Sequence, residues 1–343
     1  MRVAIIGATG VVGETILRVL EERNVPVDTL LAYASRERDN AVTFRGQSMP
    51  VAVATTQRII ADRPHVAFFA SSDDASAEMA TALAEAGIIV IDNSSTFRLD
   101  PDCPLVVPEV NPSSIRPEHR IFPVGNCTAI VLCVALAPIE RAVGLKAVRV
   151  ATYQAVSGAG RAGLEALEYE EFSGIAQAES SVDTPFVAPI FRNVIPQVGS
   201  FDANGDSSEE RKVVEETRKI LGLADLHVAA TTVRVPVRFA HSEAVFVETE
   251  RETDVAELSA AFERASGVAF HGQGIVTPRE VEGEDRVHVA RLRAEGDSGR
   301  HFQLWVVGDQ TRKGAATNGV QILELLVQRG LAGHRPALRA QAS

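Results

Sequence analysis

Apolar and polar positions follow two different rhythms along this chain. In the first third, short apolar runs alternate with stretches of helical period. Val3–Ile6 predicts a buried strand, and Gly13–Arg23 predicts a helix with Ile16, Leu17 and Leu20 on one face. Leu30–Tyr33, Val66–Ala70 and Ile88–Ile91 predict further strands, the last two separated by an Ala-rich helix around Ala75–Ala86. Strands alternating with helices imply a parallel, doubly wound sheet.

After Cys127 the rhythm changes. Thr128–Val143 predicts a helix, followed by longer strand-like segments at Ala147–Ala155, Leu226–Val237 and Ala244–Thr249. Ser173–Gly205, with Pro185, Pro189, Pro196 and an Asn204-Gly205 turn, predicts irregular structure. A strand at Phe302–Val307 precedes a last helix at Gly314–Gln328. This is an α+β pattern and predicts a second domain built on a mixed sheet.

Composition narrows the function classes. The chain has 343 residues, a formal net charge of −11 and 45% hydrophobic residues, enough for an ordinary core divided between two domains. An acidic balance excludes a non-specific nucleic-acid binder, which needs excess Lys and Arg to displace counterions. The longest apolar run, Ala129–Ile139, is too short to span a bilayer and contains Pro138. The N-terminal apolar run ends in a glycine turn, not a cleavage site. Three cysteines, Cys103, Cys127 and Cys133, form neither an even disulfide framework nor a metal-binding pair. The expectation is a reduced cytoplasmic protein without a bound metal.

Two segments carry candidate chemistry. Gly7-Ala8-Thr9-Gly10-Val11-Val12-Gly13 follows a predicted strand and opens a predicted helix. That context suits a pyrophosphate lying on free helix N–H groups, although a tight turn without a ligand would read the same way. The second strand runs into Ala34-Ser35-Arg36-Glu37-Arg38. Ser35 with Arg36 and Arg38 favours a ribose 2′-phosphate, hence NADP; Glu37 opposes it, and a solvated loop is the competing reading. Cys127, in Gly125-Asn126-Cys127-Thr128, stands where the long apolar helix begins. A helix N-terminus favours thiolate, and its free N–H groups offer stabilisation to an oxyanion. The competing reading is a buried, inert thiol. Cys133 falls on the apolar face of the helix, and Cys103 has no activating context.

Several segments, in order, resemble one family. They are the glycine loop, Asp92-Asn93-Ser94-Ser95-Thr96-Phe97-Arg98, Asn126-Cys127-Thr128, Thr152-Tyr153-Gln154-Ala155-Val156-Ser157-Gly158-Ala159-Gly160, Asn193-Val194-Ile195-Pro196-Gln197, Arg234-Val235-Pro236-Val237 with His241-Ser242-Glu243, and Arg312-Lys313-Gly314-Ala315-Ala316-Thr317-Asn318. Together, from Met1 to about Leu326, they resemble the aspartate-semialdehyde dehydrogenase family. The resemblance implies an N-terminal Rossmann-type dinucleotide-binding domain over residues 1–127, with helix 314–328 packing back onto it. It implies a catalytic and dimerisation domain over 128–313, and a homodimer.

The implied reaction is reversible, NADP-dependent reductive dephosphorylation of L-aspartyl 4-phosphate to aspartate 4-semialdehyde through a cysteine thioester. It serves the biosynthesis of lysine (through diaminopimelate), threonine, methionine and isoleucine. By the same resemblance, Cys127 is the nucleophile, His241 a general acid/base, and Gln154 the residue that orients the acyl intermediate. Arg234 clamps the substrate carboxylate, Arg98 and Lys212 bind phosphate, and Glu209 binds the substrate amine. Ser157, Gly158 and Asn318 contact the cofactor on its nicotinamide side. Thr128-Ala129 stand where the family has Ser-Thr, which keeps the first hydroxyl and with it a helix cap, and Gly125 stands where the family has Pro, so a looser approach to the cysteine is expected. Two alternatives are a related reductase acting on N-acetyl-γ-glutamyl phosphate and a non-enzymatic nucleotide-binding paralogue. The odd spacing of Arg234 and His241 requires the strand between them to bend or end if both serve one site.

Overall fold

The computed structural model describes residues 1–36, 41–173 and 184–333. Its contacts divide into two units, one of Met1–Pro108, Pro112–Val124 and the chain from Asn318 onward, the other of Glu109–Asn111 and Gly125–Thr317.

The first unit is built on strands buried on both faces. β1 (Arg2–Ile6), β2 (Thr29–Ala34), β3 (Ala41–Phe44), β4 (Gln47–Val53), β5 (Val66–Phe69), β6 (Ile89–Asp92) and β7 (Ile121–Pro123) form one sheet in the order β3-β4-β2-β1-β5-β6-β7. All neighbours are parallel except β3 and β4. Helices Val11–Glu22 and Asp73–Glu85 cross between parallel strands, and Ile16, Leu17, Leu20, Met79 and Leu83 are buried. Helix Thr317–Gln328 belongs to this unit too: Gly319 lies against Phe68, Ile91 and Val124, and Arg23 pairs with Glu324 at 2.7 Å.

Strand order reverses between β1 and β5, and the glycine loop leaves β1 at that point. Gly7 has φ +86°, and a Cβ on it would stand 2.2 Å from the Ala70 carbonyl oxygen. A Cβ on Gly13 would stand 2.2 Å from the Gly7 carbonyl oxygen. These glycines let strand, turn and helix approach closely.

The β3–β4 hairpin was not expected from the pattern. Its turn is Arg45-Gly46 with φ +50° and +72°, a pair of left-handed residues that Asn-Gly more often supplies. Arg45 is held there by tertiary contacts, its guanidinium donating to the Val25 and Val27 carbonyls at 2.7 and 2.9 Å.

In the second unit, β8 (Leu145–Gln154), β9 (His227–Arg234), β10 (His241–Thr249), β11 (Val268–Phe270), β12 (Val287–Ala294) and β13 (His301–Gly308) form a mixed sheet in the order β11-β12-β13-β10-β8-β9. Helix Cys127–Val143 begins one residue earlier than predicted and is buried from Thr128 through Ile139, so its apolar residues run all round it. Residues 184–205 of the stretch expected to be irregular lack regular elements, apart from backbone bridges at Ile195 and Phe201. The last predicted helix starts differently: Arg312–Ala316 is a π turn, in which the Gly314 and Ala316 N–H groups reach back five residues to the Asp309 and Thr311 carbonyls. Among the described residues, no helix is long and apolar enough to cross a membrane.

Gly13→Ala is expected to destabilise the protein by roughly 1–3 kcal/mol, because backbone rather than a flexible side chain must yield. Thermal unfolding monitored by circular dichroism checks this; an unchanged Tm would contradict the close approach.

Candidate active site

Three strand ends make the site. β8 ends at Gln154 and β9 at Arg234, and the two residues are register partners. β10 starts at His241, opposite Gly308 of β13. The register that pairs Ser242 with Tyr153 continues to His241 beside Gln154. Arg234, Gln154 and His241 therefore lie side by side on one rung, on one face. The odd spacing of Arg234 and His241 is resolved because β9 ends and the chain crosses the end of β8, where the Val237 and Arg238 carbonyls accept the Val156 and Ser157 N–H groups.

Onto this rung comes the start of the buried helix. Asn126 is its N-cap, with Oδ1 accepting the Thr128 and Ala129 N–H groups, both at 3.0 Å. The Asn126 amide nitrogen donates to Glu209 Oε1 at 2.9 Å, and Gln154 Nε2 donates to the same oxygen at 2.9 Å and to Thr128 Oγ1 at 3.1 Å. The Asn126 backbone N–H donates to Glu216 at 2.5 Å. One carboxylate thus ties the cap of the helix to the end of β8, and a second holds the cap backbone.

Cys127, half-buried, places Sγ 3.5 Å from Nε2 of the fully buried His241. The other ring nitrogen, Nδ1, accepts the Ala155 N–H at 3.1 Å. Burial, and secondarily the Arg234 charge, hold the His241 pKa well below its usual value, so the ring is neutral near pH 7. Arg234 Nη1 donates to the Ala155 carbonyl at 2.7 Å, and the guanidinium lies 5.9 Å from the Phe186 ring centre. Burial lowers the Arg234 pKa, while Cys127 and Glu209 push it back up. A Cβ on Gly158 would lie 2.7 Å from Arg234 Nη1 and 3.3 Å from His241 Nε2, so glycine is what keeps both groups at this spot. Gly314 in the π turn is equally confined, 2.8 Å from the Cys127 Cβ for any added methyl.

The remaining candidates are distributed as follows. Lys212 lies one turn beyond Glu209 on helix Ser208–Leu221, which starts with a capping box at Ser207 and Glu210. The Ser157 hydroxyl already donates to the Arg238 carbonyl and accepts from Gln310. Arg98, the glycine loop, Ser35, Arg36 and Asn318 belong to the first unit. There Arg98 donates to the Asn93 carbonyl at 2.9 Å, and Asn318 to the Val106 carbonyl at 2.9 Å. Ser35 and Arg36 are exposed beyond β2; Glu37 and Arg38 lie outside the described residues.

Two expectations are corrected. The Thr128 and Ala129 N–H groups do not serve an oxyanion, because Asn126 Oδ1 occupies both. Gly125 does not loosen the approach: a Cβ there would meet Ile130 at 3.2 Å and Glu216 at 3.3 Å, so the glycine is closely packed and admits the Glu216 carboxylate. Sequence reasoning missed Asn126 as a hub, Glu216, and Glu243. The signal for Glu216 was present, since it shares a helix face with Glu209 and the buried Val213 and Ile220.

The glycine loop fits a dinucleotide phosphate. Gly10 caps helix Val11–Glu22 without any side chain to occupy the first-turn N–H groups.

Residues 2–117 match the family described as semialdehyde dehydrogenase, NAD binding domain, and residues 136–313 the semialdehyde dehydrogenase dimerisation domain. The chain is 44% identical over 330 residues to aspartate-semialdehyde dehydrogenase 2 of Vibrio cholerae, covering 95% of this chain and 97% of that one. It is 42% identical over 337 residues to the aspartate-semialdehyde dehydrogenase of Aquifex aeolicus, covering 96% and 99%. Among solved structures, it superimposes with a TM-score of 0.89 on the Vibrio cholerae aspartate semialdehyde dehydrogenase II complexed with ASA, at 42% identity, covering 95% and 98%.

Glu243, two residues beyond His241 on the same face, is fully buried, and neither carboxylate oxygen has a hydrogen-bond partner among the described residues. Burial holds its carboxyl pKa well above the ordinary 4.5. The unfolded chain ionises near 4.5, so stability is highest below that pH and falls as pH rises toward the folded value. Glu243→Gln should therefore gain stability over the parent as pH rises from 5 to 7, by up to about 1.4 kcal/mol per pH unit. Urea unfolding midpoints at the two pH values check this; a constant difference would contradict it.

Proposed function

We propose a reaction for this chain from one premise: it belongs to the aspartate-semialdehyde dehydrogenase family of oxidoreductases. The reaction is the reversible, NADP-dependent conversion of L-aspartyl 4-phosphate to L-aspartate 4-semialdehyde and phosphate. It would supply the biosynthesis of lysine (by way of diaminopimelate), threonine, methionine and isoleucine in the cytoplasm. The observation that carries this reading is the 3.5 Å approach of Cys127 Sγ to His241 Nε2, beside Gln154 and Arg234.

In the reductive direction the Cys127 sulfur attacks the acyl carbon, the C–O bond to phosphate breaks, and a thioester remains on the enzyme. The family role of His241 is general acid/base at the sulfur and the carbonyl oxygen. Gln154, held by Glu209 and Thr128, orients the acyl group. Arg234 binds the substrate carboxylate as a planar, bidentate donor. Glu209 takes the substrate amine, and Arg98 with Lys212 take the phosphate. The bound nicotinamide cofactor supplies the hydride. Gly7, Thr9, Gly10, Val11, Val12 and Gly13 would hold its pyrophosphate, and Ser35, Arg36 and Arg38 a 2′-phosphate. Ser157, Gly158 and Asn318 would border its nicotinamide end. The absence of an acidic residue at Ala34-Ser35 favours NADP over NAD.

The proposed oligomer is a homodimer through the outer face of the mixed sheet. Tyr153 and Phe246 are each 39% exposed there, and with Trp305, Arg291, Arg293 and Gln303 they line a cavity of about 150 Å³. A face that mixes aromatic rings and arginines suits a partner surface.

Cys127→Ala should lower phosphate-dependent oxidation of aspartate semialdehyde with NADP by at least about a thousandfold, as expected when a covalent nucleophile is lost. Undiminished turnover would overturn the mechanism, and preferential turnover of N-acetylglutamate semialdehyde would reassign the substrate. Light scattering after size exclusion should give twice the 36.7 kDa chain mass. Phe246→Arg should shift it toward one chain mass.

A further inference from the structure

We propose that Glu170 is a positioning residue for the substrate-carboxylate clamp: its buried carboxylate anchors the segment 186–195, which grips Arg234 through Ile195 at the backbone and through Phe186 at the guanidinium. The inference deepens the reaction proposed above and rests on it for the role of Arg234.

The anchor is a carboxylate in an apolar place. Helix Gly160–Ser173 packs against the chain just beyond β8: a Cβ on Gly163 would stand 2.2 Å from the Val156 carbonyl oxygen. Leu167 of this helix joins Val156, Ile190 and Ile195 in one buried cluster, with Phe186 and Phe191 packed against it. Glu170, one turn beyond Leu167 on the same helix face, is only 4% exposed. A carboxylate so placed is costly unless it is hydrogen-bonded. Its Oε2 accepts two adjacent backbone hydrogens, from the Ile190 and Phe191 N–H groups, both at 2.7 Å. Hydrogen bonds to an ionised acceptor are the stronger kind, and two converging on one oxygen hold the backbone at Ile190 and Phe191 in place.

From that fixed point the chain reaches Arg234 in both directions. Downstream, the Asn193 N–H turns back to the Ile190 carbonyl at 3.1 Å, and Ile195 then forms a backbone bridge with Arg234. The Arg234 N–H donates to the Ile195 carbonyl at 2.8 Å, and the Ile195 N–H to the Arg234 carbonyl at 3.0 Å. Upstream, Phe186 sets its ring centre 5.9 Å from the guanidinium carbon, within reach of a cation–π contact. Nη1 is meanwhile committed to the Ala155 carbonyl at 2.7 Å.

A guanidinium recognises a carboxylate as a planar fork, so the tilt of its plane decides whether both oxygens are reached. The Ala155 bond fixes one nitrogen and leaves rotation about that bond; the Phe186 ring opposes this rotation. Glu170 acts through Phe186 and Ile195. The carboxylate that Arg234 holds takes no part in bond breaking, so it is bound alike in the ground and transition states. A loosened clamp is therefore read in KM more than in kcat, and in the preference for substrates that carry this carboxylate.

The test is steady-state kinetics of the whole enzyme with aspartate semialdehyde and with 3-aminopropanal, the same molecule without its carboxylate. Glu170→Ala should raise KM for aspartate semialdehyde about tenfold, change kcat by less than about twofold, and narrow the kcat/KM preference over 3-aminopropanal by about the same tenfold. KM for phosphate should not change. Glu170→Gln keeps one carbonyl oxygen for both N–H groups and should recover most of the loss. Phe186→Leu keeps apolar bulk at a half-buried position without the ring, and should move KM and preference in the same direction. An unmoved KM in Glu170→Ala, an equal rise in KM for phosphate, a fall in kcat with the preference intact, or a Glu170→Gln enzyme as impaired as Glu170→Ala would each overturn the proposal. If Glu170→Ala does not fold, an unmoved KM and preference in Phe186→Leu overturn it instead. A parent enzyme inactive on aspartate semialdehyde would overturn the reaction itself, and the role of Arg234 with it, before any variant is compared.

Discussion

A helix buried on all sides leaves its first N–H groups without water, and the chemistry of this chain depends on how they are satisfied. Asn126 takes two of them with one side-chain oxygen and passes its own amide and backbone hydrogens to Glu209 and Glu216. Because Glu209 also receives Gln154, the cap and the end of β8 form one hydrogen-bonded body. The position of Cys127 is thus the consequence of an obligatory backbone account, not of any bond the sulfur makes.

The same burial makes charge expensive, and that expense distributes the roles. His241, fully buried, is cheapest as a neutral ring, while Arg234 retains its charge because guanidinium is so weakly acidic. Gly158 and Gly314 supply the remaining condition by leaving no side chain between these groups or against the cysteine. Glu243, two residues along the strand from His241, shows the other resolution of the same problem: with no hydrogen-bond partner among the described residues, burial pushes its carboxyl pKa well above the ordinary value.

In the first unit the constraint is distance between backbones. The glycine loop brings strand, turn and helix so close that a methyl group at Gly7 or Gly13 would collide with carbonyl oxygens. The uncapped helix start after Gly10 is what remains, a set of donors suited to phosphate. A capping Ser or Asp at that position would satisfy the helix and close the site.

The alternation of apolar runs determined the parallel sheet, the buried helix and most strand positions, since these depend on local periodicity. It also marked Cys127 as a helix-start thiol, but not Asn126 as the residue that caps that helix. The Arg45-Gly46 hairpin escaped because its left-handed turn is held by carbonyls some twenty residues away. That Gln154, Arg234 and His241 share a rung was decided only by the tertiary structure. Strand register joins residues far apart in sequence, and no local pattern specifies it. The bond from the Ala155 N–H to His241 Nδ1, the occupied N–H groups at the helix start and the isolation of Glu243 followed from that same non-local packing, which sets each partner and excludes water.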